Sequence, residues 1–135
     1  MKTEDEIRTA VFRLIKSSPL SQIISGRIIN GKDRSPNAST EDIVIKVNGN
    51  NIAQKQEAFV IMNIYTQDNL REGEYVMNDD RIPLLERAVL DYFDVAKHID
   101  DARLSLEPDG QSLMVSQNGK EHVISNKLRY QIINN

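Results

Sequence analysis

The segment from residue 58 to residue 65, AFVIMNIY, most strongly constrains the fold, because it is apolar on both faces of an extended chain. Successive side chains of a β-strand point to opposite faces. One face would carry Ala58, Val60, Met62 and Ile64, and the other would carry Phe59, Ile61 and Tyr65. A strand that is apolar on both faces needs cover on both, so this segment predicts a central strand with helices on one side. The other side needs a second layer or another subunit.

Further strands are predicted from apolar alternation and turn residues. Ile43, Ile45 and Val47 alternate along a second strand, and residues 48 to 56 are expected to turn the chain towards the first. Residues 27 to 30 are compatible with a short strand. In the C-terminal third, Pro108-Asp109-Gly110 and Asn118-Gly119 are turn sequences between apolar segments, and Asn-Gly is a strong hairpin signal.

Two helices are expected from capping residues and apolar periodicity. Thr3 and Glu6 have the spacing of a capping box, which predicts a helix over residues 3 to 16. Asp80 is expected to cap a helix over residues 81 to 98.

A shorter helix is predicted between these two. Ser18 and Pro19 would begin it, and Gly26 would end it in a left-handed conformation.

These elements predict an α+β fold: a mostly antiparallel sheet of about four to six strands, with the two main helices packed on one face. The 135 residues fit a single domain, 1–135. Residues 31–40, GKDRSPNAST, are polar, contain a proline and lack periodicity, so a flexible surface loop is expected there.

Composition narrows the classes of function. The chain has no cysteine, which excludes disulfides, thiol catalysis and cysteine-ligated zinc. The N-terminus is acidic and continues directly into a helix, and no apolar run approaches the roughly 18 residues of a membrane span. A cleaved secretion signal and membrane anchoring are therefore not expected.

One segment partly matches a phosphate-binding loop. From Gly26 to Lys32 the glycines and the lysine have the required spacing. Asp33 then stands where the motif needs a hydroxyl, and a polar loop with Pro36 follows where a helix should begin. A nucleotide binder or small hydrolase using residues 26 to 33 is therefore only a weak interpretation of this sequence.

The titratable residues do not form a catalytic constellation. Asp91, Asp94 and His98 share one side of the second main helix, a spacing equally typical of a solvated helix face. His122 is expected at a surface or sheet edge, and neither histidine has a matched serine or cysteine. We expect no enzyme activity, no metal and no cofactor.

Charge is unevenly distributed along the chain. The net charge is +3 over residues 1 to 40, −8 over residues 41 to 110 and +2 over residues 111 to 135. Proteins that hold DNA tightly usually present a basic face, because neutralised phosphates release counterions. Specific nucleic-acid binding is not expected, although an acidic surface suits a protein that lets DNA pass.

The whole pattern resembles one structural family. The N-terminal helix, the strand pair EDIVIKV and AFVIMNIYTQD, the helix at 81–98 and the closing strand KLRYQII look like the tail-terminator or tail-completion proteins of long-tailed bacteriophages. The resemblance covers residues 3 to 133. It implies a non-enzymatic ring, usually a hexamer, that caps the tail tube and joins it to the head. Its partners would be itself and the tail-tube and head-completion proteins, in the virion tail and, during assembly, in the host cytoplasm.

Two groups of residues acquire candidate roles under this resemblance. Aromatic and methionine side chains are enriched at protein interfaces, which favours Tyr65, Tyr75, Val76 and Met77 as interface anchors, with core packing as the alternative. The acidic residues Glu72, Glu74, Asp79 and Asp80 are candidates to face a DNA channel.

The competing interpretation is an intracellular adaptor. Such an α+β module would bind a protein partner through a sheet edge or through the 31–40 loop, and it would have no catalytic activity. Ring assembly distinguishes the two interpretations.

Overall fold

A computed structural model describes residues 2–31, 34–35, 37–52, 55–95 and 104–133. The helices are α1 (Glu4–Lys16), α2 (Leu20–Ile23) and α3 (Arg81–Val95). The strands are β1 (Ile28–Asn30), β2 (Ile43–Asn51), β3 (Lys55–Gln67), β4 (Asn69–Arg71), β5 (Glu74–Val76), β6 (Leu104–Val115) and β7 (Glu121–Ile133).

The strands form a five-stranded sheet in the order β1-β2-β3-β7-β6, together with a separate β4–β5 pair. All neighbours in the large sheet are antiparallel except β1 and β2, which run parallel. The predicted α+β class and the mostly antiparallel sheet are confirmed. The parallel pair was not anticipated, and its register places Ile28 beside Ile43 and Asn30 beside Ile45.

The central strand is β3, as its two apolar faces predicted. It pairs with β2 on one side and along its full length with β7 on the other. Its even-numbered residues Ala58, Val60, Met62 and Ile64 are almost completely buried in one core cluster. The helices contribute to the same cluster through Ile7, Val11 and Ile15 of α1 and through Ile82, Leu85, Val89 and Phe93 of α3. Both main helices therefore pack on one face of the sheet.

The first helix begins as the sequence predicted. The Glu6 amide donates to Thr3 Oγ1 and the Thr3 amide donates to Glu6 Oε1, each at 3.2 Å, which completes the capping box. At the start of α3, the Arg81 amide donates to Asn78 Oδ1 at 3.0 Å, and the expected cap by the Asp80 side chain is not seen among the described residues. The prediction for residues 96 to 98 lies outside the described residues.

The role predicted for Gly26 is wrong. The short helix α2 ends at Ile23, and Ile24 is already extended. Gly26 does not have a positive φ; its Cα instead lies so close to the Asp42 carboxylate and the Glu41 carbonyl that a side chain would overlap both. The glycine is needed for a close approach of two chain segments, and the sequence around it does not reveal that.

The C-terminal hairpin is confirmed, with Gly119 at φ +70 between β6 and β7. The turn predicted at Pro108-Asp109-Gly110 is wrong, because these residues form an irregularity inside the continuous strand β6. A proline is tolerated there because β6 is an edge strand. The turn between β2 and β3 is also shorter than residues 48–56, since β2 extends to Asn51 and β3 begins at Lys55.

Candidate interaction surface

The face of the sheet opposite the helices, here called the open face, is incompletely covered. Phe59, Ile61 and Tyr65 alternate along β3 on this face, and each remains partly exposed. Neighbouring Val44 and Val123 are buried, with 2% and 5% of their surface exposed. The described part of the chain therefore supplies a full layer on one face of β3 and only partial cover on the other.

A groove of about 860 Å³ lies at one end of the open face. Val44, Tyr65, Met114 and Val123 provide apolar lining, and the turn between β6 and β7 borders it. Asn63 also lines the groove, and its Oδ1 atom is buried without a hydrogen-bond partner within the described residues. A buried acceptor without a partner costs free energy, so this atom favours a donor arriving from outside.

Arg34 anchors the 31–40 segment to the same end of the sheet. Its Nε donates to Asp42 Oδ2 and its Nη1 to Glu121 Oε1, each at 2.7 Å, and Nη2 donates to the Thr40 carbonyl, also at 2.7 Å. The guanidinium carbon lies 4.4 Å from the centre of the Tyr65 ring. One side chain thus joins a connecting segment to β2, β3 and β7.

The electrostatics of this cluster favour the charged forms. Burial disfavours ionised Asp42, but bonds from the Arg27 amide, the Arg34 guanidinium and the Thr40 hydroxyl outweigh that penalty and lower the pKa of Asp42. Burial likewise opposes the charge on Arg34, and its bonds to Glu121 and Asp42 nevertheless raise its pKa. Both ends of the pair remain charged at neutral pH, which makes the cluster a structural anchor and not a proton donor.

A second ion pair lies beside the first, on the helix side of the sheet. Arg81 holds both carboxylate oxygens of Glu41 at 2.6 to 3.1 Å and also donates to the Ile23 carbonyl. The hydroxyl of Thr66 donates to the same carboxylate at 2.7 Å. The bond to Glu41 raises the pKa of Arg81. This pair fixes the start of α3 against β2 and β3.

His122 is partly buried and does not lie on an edge strand, contrary to the expectation of an edge position. It lies in β7, between β3 and β6, with its side chain 16% exposed, and its Nδ1 is 2.6 Å from Asp68 Oδ1. The hairpin register brings these residues together, because Thr66 of β3 pairs with His122 across the sheet. Sequence spacing could not show this contact.

The β4–β5 hairpin was missed by the sequence analysis. Glu72 and Gly73 form its turn with φ values of +50 and +80, a pairing that Asn-Gly usually supplies. The sequence does contain Glu72-Gly73 between Leu70 and Tyr75, which could have indicated a turn. Each strand has only three residues, so no apolar alternation accompanies this turn. Leu70 and Tyr75 are 62% and 45% exposed, so the hairpin presents apolar surface.

The four interface candidates occupy different environments. Tyr75 is exposed on the hairpin, and Val76 beside it is partly exposed. Tyr65 stacks against Arg34 at the edge of the groove. Met77 packs partly against the core of its own chain. Tyr65 and Tyr75 are thus the two candidates whose rings remain accessible at the surface.

The four acidic candidates are all exposed. Glu72 and Glu74 lie on the hairpin, whereas Asp79 and Asp80 lie in the turn that precedes α3. Glu41, Asp42 and Glu121, also acidic, are instead buried in ion pairs. The acidic residues named here therefore form two groups, one exposed to solvent and one buried in ion pairs.

The other chemical motifs acquire no support from the geometry. Residues 28 to 30 of the phosphate-loop pattern form β1, and Lys32 and Asp33 lie outside the described residues. Among described residues no three acidic or histidine side chains are placed to hold a metal ion, and His98 lies outside that set. The helices that the structure describes include none long and apolar enough to cross a membrane.

Comparison with known proteins finds no family model and no curated protein that matches this sequence.

Proposed function

We propose that this protein is a structural subunit without catalytic activity that assembles into a ring, as the resemblance to phage tail terminators implies. In that role the ring, a hexamer in the family, would cap the tail tube and join it to the head. The protein would act in the virion tail and, during assembly, in the host cytoplasm.

The open face is the observation that carries this proposal. Phe59, Ile61 and Tyr65 remain partly exposed on the central strand, where a monomeric protein would normally bury them. Adjacent to them lies the groove with the Asn63 oxygen, which has no hydrogen-bond partner among the described residues. A neighbouring copy that covered this face would bury apolar surface and supply the missing donor.

The exposed acidic residues fit the passage of DNA through the ring. Glu72, Glu74, Asp79 and Asp80 are free of ion pairs within the described part of the chain. Carboxylates that faced a channel would repel phosphates and prevent DNA from being retained. Replacing all four with lysine should slow DNA passage and reduce the infectivity of particles that carry the variant; unchanged infectivity would contradict this role.

The first test is the solution mass, measured by light scattering after size exclusion over a concentration series. We expect a concentration-dependent species close to six times the chain mass of 15.4 kDa. A mass fixed at monomer or dimer over the whole series would contradict ring assembly by the isolated protein.

A surface variant then tests the open face. Ile61→Glu places a charge on the open face, at a partly exposed position of the central strand, and should prevent assembly of the folded variant. Leu84→Glu is the matched control, since Leu84 is 49% exposed on α3, which packs on the opposite side of the sheet. Equal assembly of both variants would show that the open face is not buried between copies.

The adaptor interpretation is kept as a second proposal because of one observation. β6 is a terminal strand of the sheet, and its end carries exposed Leu113, Met114 and Val115. An extended partner segment could add to such an edge as a further strand. A constant monomer mass together with strand addition at β6 would favour the adaptor over the ring.

A further inference from the structure

The charged side chains differ between the two lateral ends of the five-stranded sheet. Helix α1 packs over β1 and β2, whereas α3 packs over β6 and β7. The exposed residues Lys16 and Arg27 lie at the first end, and the exposed residues Asp91 and Asp94 lie at the second. These parts of the two ends therefore carry opposite charges.

The β1 end carries three cations. Arg8 and Lys16 lie eight residues apart on one stripe of α1, and the Arg8 Nε donates to Asn30 Oδ1 of β1 at 3.0 Å, so this stripe borders β1. Arg27 is exposed immediately before β1. We call Arg8, Lys16 and Arg27 the basic edge.

Two of these three cations lack an ion-pair partner in the part of the chain that the structure describes. Arg8 pairs with Asp5 at 2.8 Å, but Lys16 and Arg27 make no ion pair within the described part of the chain. Lys16 instead lies 5.6 Å from the ring centre of Phe12, on the same stripe. The basic edge therefore has charge that is not neutralised by the residues that the structure describes.

The β6 end carries the complementary charge. A cleft of about 550 Å³ lies between α3 and β6 and is lined by Asp91, Asp94 and Glu107, with Arg87 as its cation. We call Asp91, Asp94 and Glu107 the acidic edge. Arg87 is 3.3 Å from Asp91 and Arg129 is 3.6 Å from Glu107, while Asp94 is exposed and makes no ion pair among the described residues.

Both edges also offer apolar surface. On β6, Leu113, Met114 and Val115 are 39%, 46% and 65% exposed. On the β1 end, Phe12 and Ile28 are only partly buried. A contact between the two ends would thus combine apolar burial with complementary charge, as specific interfaces do.

We infer that the basic edge of one copy docks against the acidic edge of the next copy, head to tail. The inference rests on the proposed ring, and it adds a contact between lateral edges to the cover that a neighbouring copy would give to the open face. A second copy is the indicated occupant because one chain supplies both halves of the complementary pair. Contacts between unlike edges leave a free edge at each end until the ring closes, whereas a two-fold contact of either edge with itself would bring like charges together.

The test is a charge exchange between two variants, followed by light scattering. One variant carries Lys16→Glu with Arg27→Glu, so that both of its edges are acidic, and the other carries Asp91→Lys with Asp94→Lys. Each reversal turns attraction into repulsion at two exposed positions, so each variant alone should assemble at least about tenfold more weakly. A 1:1 mixture should recover assembly, because the two proteins then alternate around the ring. Circular dichroism and thermal unfolding of each variant confirm that it is folded.

The possible outcomes distinguish a failure of the edge contact from a failure of the proposed ring. Assembly of the unaltered protein and of both variants with equal strength would overturn the contact while leaving the ring intact. A mixture that fails to recover assembly from folded variants would overturn the contact as well. An unaltered protein that stays monomeric at every concentration would overturn both the ring and the contact.

Crosslinking provides an independent measurement, because any introduced cysteine is the only thiol in its chain. Lys16→Cys protein mixed with Asp94→Cys protein should give a mixed dimer with a short bis-maleimide. Leu84→Cys is the matched partner control, since position 84 lies on the same helix about 15 Å from position 94. Equal yields with positions 94 and 84 would overturn the proposed contact.

Discussion

Arg34 and Glu121 lie 87 positions apart in the sequence and form a 2.7 Å ion pair whose side chains are 7% and 1% exposed. The pair joins a segment that was expected to be a flexible loop to the first residue of β7. Asp42 completes the cluster from the residue that precedes β2. The end of the sheet that borders the groove is therefore held together by charge, beside an aliphatic core.

Removing the cation of this cluster should strongly destabilise the fold. Arg34→Met keeps the length of the side chain but leaves two buried carboxylates without their partner, which typically costs about 3 to 5 kcal/mol. Urea denaturation at neutral pH measures the loss. Arg87→Met is the matched control, because its pair with Asp91 is exposed and should be worth less than about 1 kcal/mol. Similar losses for both variants would contradict the anchoring role of Arg34.

Stability should fall in acid through Asp42. The pKa of Asp42 is lower in the folded chain than its ordinary value of about 4, so the unfolded chain takes up a proton first as the pH decreases. The contribution of this carboxylate is complete above the ordinary pKa and is lost as the pH falls through the folded value. The difference in unfolding free energy between the native sequence and Asp42→Asn should be constant from pH about 7 to about 5 and shrink below about 4. A difference that is independent of pH would contradict the shift.

Because two chain segments approach closely at Gly26, an added methyl group there should destabilise the fold. Gly26→Ala would overlap the Asp42 carboxylate and the Glu41 carbonyl, and we expect a loss of about 1 to 3 kcal/mol from this overpacking. Gly110→Ala is the control, because the nearest atom to its added carbon would be Lys127 Cβ at 3.9 Å. Thermal unfolding of the two variants provides the comparison. If Gly26→Ala left the unfolding temperature unchanged, the two segments would separate easily and the close approach would not matter for stability.

The hairpin turn predicts a stabilising substitution. Glu72 has a positive φ, which most side chains disfavour and which asparagine accepts more readily. Glu72→Asn should therefore raise the unfolding free energy by about 0.5 to 1 kcal/mol. Glu74→Asn is the control, because it removes the same charge from a strand position and should not stabilise the protein. If both variants gained the same unfolding free energy, the gain would come from the lost charge and not from the backbone conformation.

Local patterns in the sequence determined the elements of this protein. The capping box of Thr3 and Glu6 fixed the start of α1, and Asn118-Gly119 fixed the turn between β6 and β7. The two apolar faces of residues 58–65 identified the central strand before any pairing was known. Each of these signals acts over a few residues, so the sequence displays it directly.

Tertiary structure alone decided which distant residues meet. Arg34 and Glu121, Asp68 and His122, and Gly26 and Asp42 are brought together by strand order and register. Pro108 and Gly110 became part of a strand because β7 continues beside them, which outweighed their preference for a turn. Lys16 and Asp94 lie at opposite ends of the sheet because α1 and α3 pack over different strands, and a charge count along the sequence does not show this.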